Sequence, residues 1–127
     1  MSGSVKVFGF KEAHEALEEE ILDMQDKASI QVVNGVSEKM PVDTGRARGG
    51  TQTKMGSPHT NDPNRPDKTG QLSLIEAQSA LETLKLGDDV FVSNNVEYVS
   101  FLEDGSSQQA PKGMFQLTVD EVAGQFN

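Results

Sequence analysis

The sequence of 127 residues contains no cysteine, no tryptophan and a single tyrosine. Without cysteine, the chain has neither disulfide bonds nor thiol chemistry, which is compatible with a reducing compartment. No apolar run approaches the roughly 20 residues of a transmembrane helix. The first residues also lack the basic-then-apolar layout of a secretion signal. We therefore expect a soluble protein that is made in a cytoplasm and does not associate with membranes.

Basic residues are scarce as well: 11 Lys and Arg stand against 20 Asp and Glu, which gives a net charge of −9. Because binding to nucleic acid or anionic lipid relies on a basic surface, this charge argues against both ligands. Hydrophobic residues make up only 35% of the chain. This share is low for a self-sufficient domain, so we expect neighbouring subunits to contribute part of the apolar burial.

What the sequence does contain is, first, a long amphipathic helix predicted over residues 10–39. Apolar residues recur at steps of three and four, and acidic residues crowd the first turns, where they favour the positive end of the helix dipole. Pro41 ends the helix, because proline disfavours helical geometry in the residue before it. The predicted apolar stripe consists of Leu17, Ile21, Met24, Ala28, Val32 and Val36.

The middle of the chain has few apolar residues. Residues 46–54 could form a strand, since Thr51 and Thr53 suit a pleated edge, but two adjacent glycines weaken that prediction. Residues 56–70 are predicted to be a long exposed loop. Because loops longer than ~12–15 residues are usually functional or disordered, we interpret residues 46–71 as an extended loop or assembly arm that orders on assembly. The alternative is a floppy insertion without a partner.

A second helix is predicted to begin at a capping box, in which Ser73 and Glu76 satisfy each other's free amides, and to stop at Gly87. A short strand over residues 90–92 ends at two asparagines. A short helix around residues 96–102 and a closing helix that begins near Pro111 follow. The apolar stripes predicted for these helices are Leu74, Ala77, Leu81 and Leu84; Val96, Val99 and Leu102; and Phe115, Val119, Val122 and Phe126.

This order predicts one domain over residues 1–127 of the α+β class. A long N-terminal helix and shorter helices pack on a small antiparallel sheet, with a long extended loop.

Catalytic chemistry is not indicated by any constellation of residues. His14 and Glu18 stand at helical spacing, but a metal site needs a third ligand that the sequence does not place. Residues 65–76 resemble the end of a calcium-binding EF-hand loop, with Glu76 at its twelfth place. The first place is Arg65, however, where calcium needs a carboxylate. We therefore predict no enzyme, no cofactor and no metal.

Three short blocks are the most distinctive feature of the chain. The first is Pro-Val-Asp-Thr-Gly-Arg over residues 41–46. The second is Asn-Asn-Val-Glu-Tyr over residues 94–98, followed by Glu103 and Gly105. The third is Gln-Ala-Pro-Lys-Gly-Met over residues 109–114. In this order the blocks resemble the neck or tail-completion proteins of long-tailed bacteriophages, which are often described as minor tail components or head-tail connectors. Asp104 and Ala47 depart from that pattern.

The resemblance implies a structural virion protein that forms a ring at the head-tail junction. Such a ring, sixfold or twelvefold, joins head-closure proteins to the tail terminator and is assembled in the host cytoplasm. DNA passes through its lumen without specific binding. The alternative is a small acidic module that binds calcium, or an adaptor that binds a basic partner through its first helix.

Our expected contact surfaces are residues 46–71 and 106–114, because a ring of identical copies needs two different faces. Arg46 and Arg48 either face a partner's carboxylates or pair with the acidic helix of their own chain. Tyr98 is a candidate for either the core or a subunit contact. The candidate interface residues are Asp43, Arg46, Arg48, Arg65, Tyr98, Glu103, Gln109, Pro111, Lys112 and Met114.

Overall fold

A computed structural model describes residues 3–4, 9–40, 42, 44–97, 99 and 113–125 of the chain. Its helices and strands confirm the predicted α+β class, with a long N-terminal helix and an antiparallel sheet of two strands. In chain order the elements are α1 (Phe10–Lys39), α2 (Arg46–Gly49), β1 (Thr51–Met55), α3 (Gln71–Leu81), β2 (Val90–Asn94) and α4 (Met114–Gly124).

Helix α1 has the predicted bounds, but only its second half is packed. Its buried residues are Ser29, Val33, Val36 and Ser37, whereas residues 10–27 include none. The predicted stripe is therefore wrong in its first half, since the side chains of Leu17, Ile21 and Met24 are 59%, 48% and 41% exposed. The periodicity correctly indicated an amphipathic helix, but it carried no information on how far along the helix the rest of the chain packs.

The strand considered for residues 46–54 begins only at Thr51, because the four residues before it form the helical turn α2. Gly45 starts that turn with φ +74°, and the Arg46 amide donates to Thr44 Oγ1 at 3.2 Å. Strand β1 then pairs antiparallel with β2, from Thr51 opposite Asn94 to the far end of both strands. The predicted strand at residues 90–92 is confirmed and extends to Asn94.

The predicted capping box of α3 is wrong, because the helix begins at Gln71, two residues before Ser73. Asp67 caps it instead, with its Oδ2 accepting the Leu72 amide at 2.7 Å. Ser73 lies inside the helix, fully buried, and its hydroxyl donates to the Arg48 carbonyl. A carboxylate near the helix start thus replaces the predicted serine, since both satisfy the free amides of the first turn.

The end of α3 also differs from the prediction. The helix stops at Leu81, six residues before Gly87, which has φ +94° in a later turn. The predicted stripe is confirmed, because Ala77 and Leu81 are buried and Leu74 and Leu84 are partly buried.

In α4 the predicted stripe is confirmed at Val122 and, as a partly buried residue, at Phe115, but the buried face is offset toward Met114 and Thr118; Phe126 lies outside the described residues. Met114, Thr118 and Val122 are buried, whereas Val119 is 46% exposed. The offset has a physical reason: Gly35 on α1 leaves room for Thr118, so that a Cβ at position 35 would lie 2.6 Å from Thr118 Cγ2. A threonine is a poor hydrophobe, and apolar periodicity therefore overlooked it.

Candidate assembly surfaces

Described residues that lie within or directly beside the three sequence blocks meet in one hydrophobic cluster. Ala47 directly follows the first block, Val96 and Val99 belong to the second and its continuation, and Met114 closes the third. They pack together with Val36 and Met40 from the end of α1. Met114 is fully buried, so its place among the interface candidates is corrected: it is a core residue.

Asn94 ties the start of the second block to residues that follow the first block by hydrogen bonds. Its Nδ2 donates to the Ala47 carbonyl at 2.7 Å and to Thr51 Oγ1 at 3.1 Å, and its Oδ1 accepts the Val96 amide. Asn95 donates to the carbonyl of His59 in the 56–70 loop. The two asparagines therefore fix where β2 ends, and the residues of these blocks that the structure describes act as structural joints.

Two threonine-glycine turns start helices and touch each other. Gly45 and Gly70 have φ of +74° and +75° immediately before α2 and α3. In each turn the preceding threonine hydroxyl accepts an amide two residues ahead, at 3.2 Å. The Asp67 amide donates to the Gly45 carbonyl at 2.9 Å. Both glycines are required, because a side chain at positive φ is strained and both sites are crowded.

Arg48 is held by backbone carbonyls of its own chain. Its Nε donates to the Met40 carbonyl at 3.1 Å and its Nη1 to the Lys68 carbonyl at 3.0 Å. A guanidinium at the end of α1 also stabilises the negative end of the helix dipole. The expected pairing with the acidic helix face is thus corrected, because Arg48 caps the carboxyl end of that helix.

Arg65 fastens the 56–70 loop to the outer edge of β1. Its guanidinium donates to the carbonyls of Gly49 and Thr51 at 2.6 and 3.0 Å, and to Glu76 Oε2 at 2.6 Å. Glu76 Oε1 in turn accepts the Thr53 amide at 3.2 Å. Arginine matches this task, because its planar fork presents several donors in fixed directions. The pair also explains why residues 65–76 only resemble a calcium loop, since Arg65 neutralises its twelfth residue.

Arg46 makes a second fastening of the same loop, with its Nη2 2.6 Å from Asp62 Oδ2. The Asn64 amide, which donates to Asp62 Oδ1, holds the pKa of the Asp62 carboxyl below its ordinary value of 3.8, and Arg46 lowers it further. The loop has no helix or strand, as predicted, but it lies against the body of the chain. Arg46, Arg48 and Arg65 are therefore engaged within the chain.

The other six candidate residues lie outside the described part of the chain: Asp43, Tyr98, Glu103, Gln109, Pro111 and Lys112. Their assignment to an interface stays a prediction, as does the contact surface over residues 106–114.

The first half of α1 is the most exposed apolar surface in the described part of the chain. Over residues 10–27 it extends about 27 Å at 1.5 Å per residue. It carries seven Asp and Glu and two Lys, so five of the nine net negative charges lie on it. Its polar face has local pairs such as Lys27 with Asp23 at 2.8 Å, which raise the pKa of Lys27. We call this segment the projecting half of α1.

An apolar cleft of about 340 Å³ lies between the middle of α1, β2 and α4. Its lining includes Phe91 and Val92 of β2, Val32 of α1, and Phe115 and Val119 of α4. Ala28 also borders a second apolar depression next to Ile21 and Met24. Ala28 therefore borders both the cleft and the depression on the projecting half of α1, so the two apolar surfaces are adjacent.

The described residues offer neither a metal site nor a membrane-spanning helix. No group of three or more His, Asp or Glu side chains there is arranged to hold a metal ion. No described helix is both long and apolar enough to cross a membrane. On the projecting half of α1, His14 Nε2 lies 3.9 Å from Glu18 Oε2, and the histidine side chain is 60% exposed.

No family, curated protein or solved structure matches the chain. The resemblance to phage neck proteins therefore stays a prediction that rests on the three blocks.

Sequence reasoning missed two parts of this arrangement. The first is Asp67 as the cap of α3; the repeated threonine-glycine pair at residues 44–45 and 69–70 is a signal that would have located the helix start. The second is the pairing of Arg65 with Glu76, for which the sequence holds no local signal because the residues lie on different elements.

Proposed function

We propose that this chain is a structural subunit of the neck of a long-tailed bacteriophage. In this proposal, copies of the chain form a ring at the head-tail junction that joins head-closure proteins to the tail terminator. The observation that carries it is that described residues within or beside the three blocks, Ala47, Val96, Val99 and Met114, pack in one cluster with Val36 and Met40. Residues that jointly fix one fold are what a shared family pattern is expected to contain.

The exposed apolar surface supports a protein that functions in an assembly. Phe10, Leu17 and Ile21 lie 89%, 59% and 48% exposed on one helix, and exposed apolar patches commonly mark sites of protein interaction. The negative charge agrees with a lumen that lets DNA slide, because carboxylates repel phosphates. In the proposed ring, DNA passes without specific binding.

A second candidate is an adaptor for a basic partner, and it is favoured by the concentration of acidic residues on the projecting half of α1. Opposite charges speed encounter and select the partner. In this alternative the chain remains a monomer and its first helix is the binding element.

Native mass spectrometry over a concentration series, with negative-stain electron microscopy, separates the two candidates. The neck proposal expects a closed oligomer with a multiple of six copies and a central channel. A chain that stays monomeric at every concentration and forms a stable one-to-one complex with a basic protein contradicts the ring and supports the adaptor.

A further inference from the structure

Within the described part of the chain, the sheet has one edge with hydrogen-bond partners, on β1, and one open edge, on β2. Thr53 directs its amide to Glu76, away from β2, so Thr53 and Val92 form a pair without ladder hydrogen bonds. The backbone groups of Val92, and by the same alternation those of Val90, therefore point away from β1. Among the described residues no hydrogen bond reaches these groups. On β1, by contrast, Arg65 donates to the outward-facing Thr51 carbonyl and Glu76 accepts the outward-facing Thr53 amide.

The open edge borders the apolar cleft between β2, α1 and α4. An open strand edge beside an apolar cleft is the arrangement that accepts an extended segment, because the backbone groups supply hydrogen bonds and the cleft takes alternate side chains. A two-stranded sheet is also marginal by itself and gains from a third strand. The occupant that fits this edge is an extended segment with alternating apolar and polar residues.

The residues before α1 have that pattern. Val5, Lys6 and Val7 alternate between apolar and polar, and valine is favoured in strands. Paired with β2, this segment would turn Val5 and Val7 to one side, toward the cleft, and Lys6 to the other. Residues 5–8 lie outside the described part of the chain.

The segment cannot reach the edge of its own chain. Gln25 donates to the Asp88 carbonyl at 2.7 Å, which places the start of β2 beside that turn of α1. Phe10 is 15 residues earlier, about 22 Å away along the helix. Residues 4–9 span at most about 20 Å when extended, and pairing requires them to pass Asp88 and continue along β2. The strand must therefore come from a second copy.

We propose that residues 4–8 of one copy add a strand to the open edge of β2 in the next copy. The projecting half of α1 carries the segment outward, and its apolar stripe lies against the neighbour. Donor and acceptor surfaces differ, so the contact repeats head to tail and closes a ring when its rotation permits. This inference relies on the proposed function only for the ring, since the exchange itself also takes place in an open chain of copies.

The first test uses a fluorescent peptide of residues 3–10 and a chain that lacks residues 1–8. Saturable binding is expected, and Val92→Pro should weaken it at least about tenfold, because proline removes an amide that faces the added strand. Val92→Ala is the matched control, since it keeps that amide. Circular dichroism checks that each variant is folded.

Two N-methylated peptides keep the test decisive if Val92→Pro does not fold. One peptide carries methyl groups on the alternate amides that would face β2, and the other carries them on the amides that would face away from β2. Loss of binding for only one of the two peptides is expected. Equal binding of both, or no binding of the unmodified peptide, overturns the proposal.

Disulfide trapping in the full chain identifies the segment that donates the strand. Because the sequence contains no cysteine, only the introduced cysteines can form a disulfide. A mixture of Val7→Cys and Val92→Cys chains should form a mixed dimer, whereas Val7→Cys with Leu72→Cys, exposed elsewhere, should not. Cross-linking of Val7→Cys to Val92→Cys within one monomer overturns the exchange. If the chain forms a closed ring but the Val7→Cys and Val92→Cys chains do not cross-link, the strand exchange is overturned and the ring is not. If they cross-link in open filaments, the ring is overturned and the strand exchange is not.

Discussion

Arg65 is the side chain that joins the long loop, the first strand and α3. Its guanidinium donates hydrogen bonds to three acceptors on separate segments: the carbonyls of Gly49 and Thr51 and the carboxylate of Glu76. Only about a quarter of each charged side chain is exposed, so water replaces these contacts poorly. Removing the Arg65 guanidinium leaves the two carbonyls and the Glu76 carboxylate without a donor. The free-energy cost of these unsatisfied groups exceeds the net stabilisation that the Arg65–Glu76 ion pair provides.

Arg65→Lys should lower the free energy of unfolding by about 2–4 kcal/mol, because an ammonium cannot reach three acceptors in the directions that a guanidinium can. Arg46→Lys is the control. Its pair with Asp62 is more exposed on the arginine side, and we expect a loss below about 1 kcal/mol. Urea unfolding of both variants measures the difference; equal losses would contradict the fastening role of Arg65.

At the scale of the element, α3 depends on a cap that lies outside it. The Leu72 amide, and then Thr69, hold the pKa of the Asp67 carboxyl below its ordinary value of 3.8. A lowered pKa in the folded state means that the stabilisation is complete above the unfolded value. It is lost as the pH falls through the folded value.

Asp67→Ala should therefore cost about 1 kcal/mol at neutral pH, which is typical of a lost cap. The difference from the parent chain should begin to shrink as the pH falls below the ordinary carboxyl value of 3.8, and it should vanish once the pH has passed the lower folded value, where Asp67 becomes protonated in the folded parent. Chemical unfolding of both proteins at pH 7 and at pH 3 measures this. A difference that does not change with pH would show that the carboxylate charge contributes nothing.

The contact between α1 and α4 depends on the absence of a side chain at Gly35. Thr118 is fully buried and its hydroxyl donates to the Met114 carbonyl at 2.7 Å, so its methyl group cannot turn away freely. Gly35→Ala should destabilise the chain by about 1–3 kcal/mol through overpacking.

In a Thr118→Ser background the same Gly35→Ala change should be neutral or stabilising, because the methyl group is gone and alanine favours the helix over glycine by about 1 kcal/mol. A double-mutant cycle by thermal or urea unfolding gives the coupling energy. An equal loss in both backgrounds would place the cause elsewhere.

These elements show how far the sequence could predict the fold. Helix α1 has the predicted bounds because its periodicity is long and its stop at Pro41 is local. The start of α3 was misplaced because Ser73 and Glu76 match a capping pattern while their actual partners, Arg48 and Arg65, come from other elements. The buried face of α4 was predicted only in part, at Val122 and Phe115, because a glycine on another helix selects a threonine that apolar periodicity does not count. Long-range pairing of this kind leaves no local periodicity to detect.

The candidate site was predicted less well than the fold. Arg46, Arg48 and Arg65 were chosen as surface charges, yet each has partners within the chain, and Met114 belongs to the core. Charge and motif membership do not separate a residue that fixes the fold from one that meets a partner. Deleting residues 56–66 would consequently remove Asp62 and Arg65 and disturb folding, so it cannot test an assembly role of the loop.

At the scale of the whole molecule, stability should be unevenly distributed along α1. Residues 10–27 have no buried side chain, whereas the turns from Ser29 to Ser37 contact the core. Regions with few buried contacts open more readily than the core. The isolated chain is thus expected to have one helix with two different local stabilities.

Hydrogen exchange measured by mass spectrometry should show faster exchange for amides of residues 14–27 than for those of residues 29–39. Concentrations at which copies associate should slow the first group and leave the second unchanged, because packing against a neighbour protects the projecting half. Uniform protection of α1 in the monomer would contradict this division.

The contact between the two threonine-glycine turns has a consequence for how the chain tolerates change in length. The hydrogen bond from Asp67 to Gly45 closes the base of the segment between them, so the ends stay together whatever the tip contains. Doubling the length of a flexible loop costs only about 0.6 kcal/mol in closure entropy. The exposed tip at residues 57–58 is accordingly a permissive site, where an inserted epitope or label should leave the frame intact.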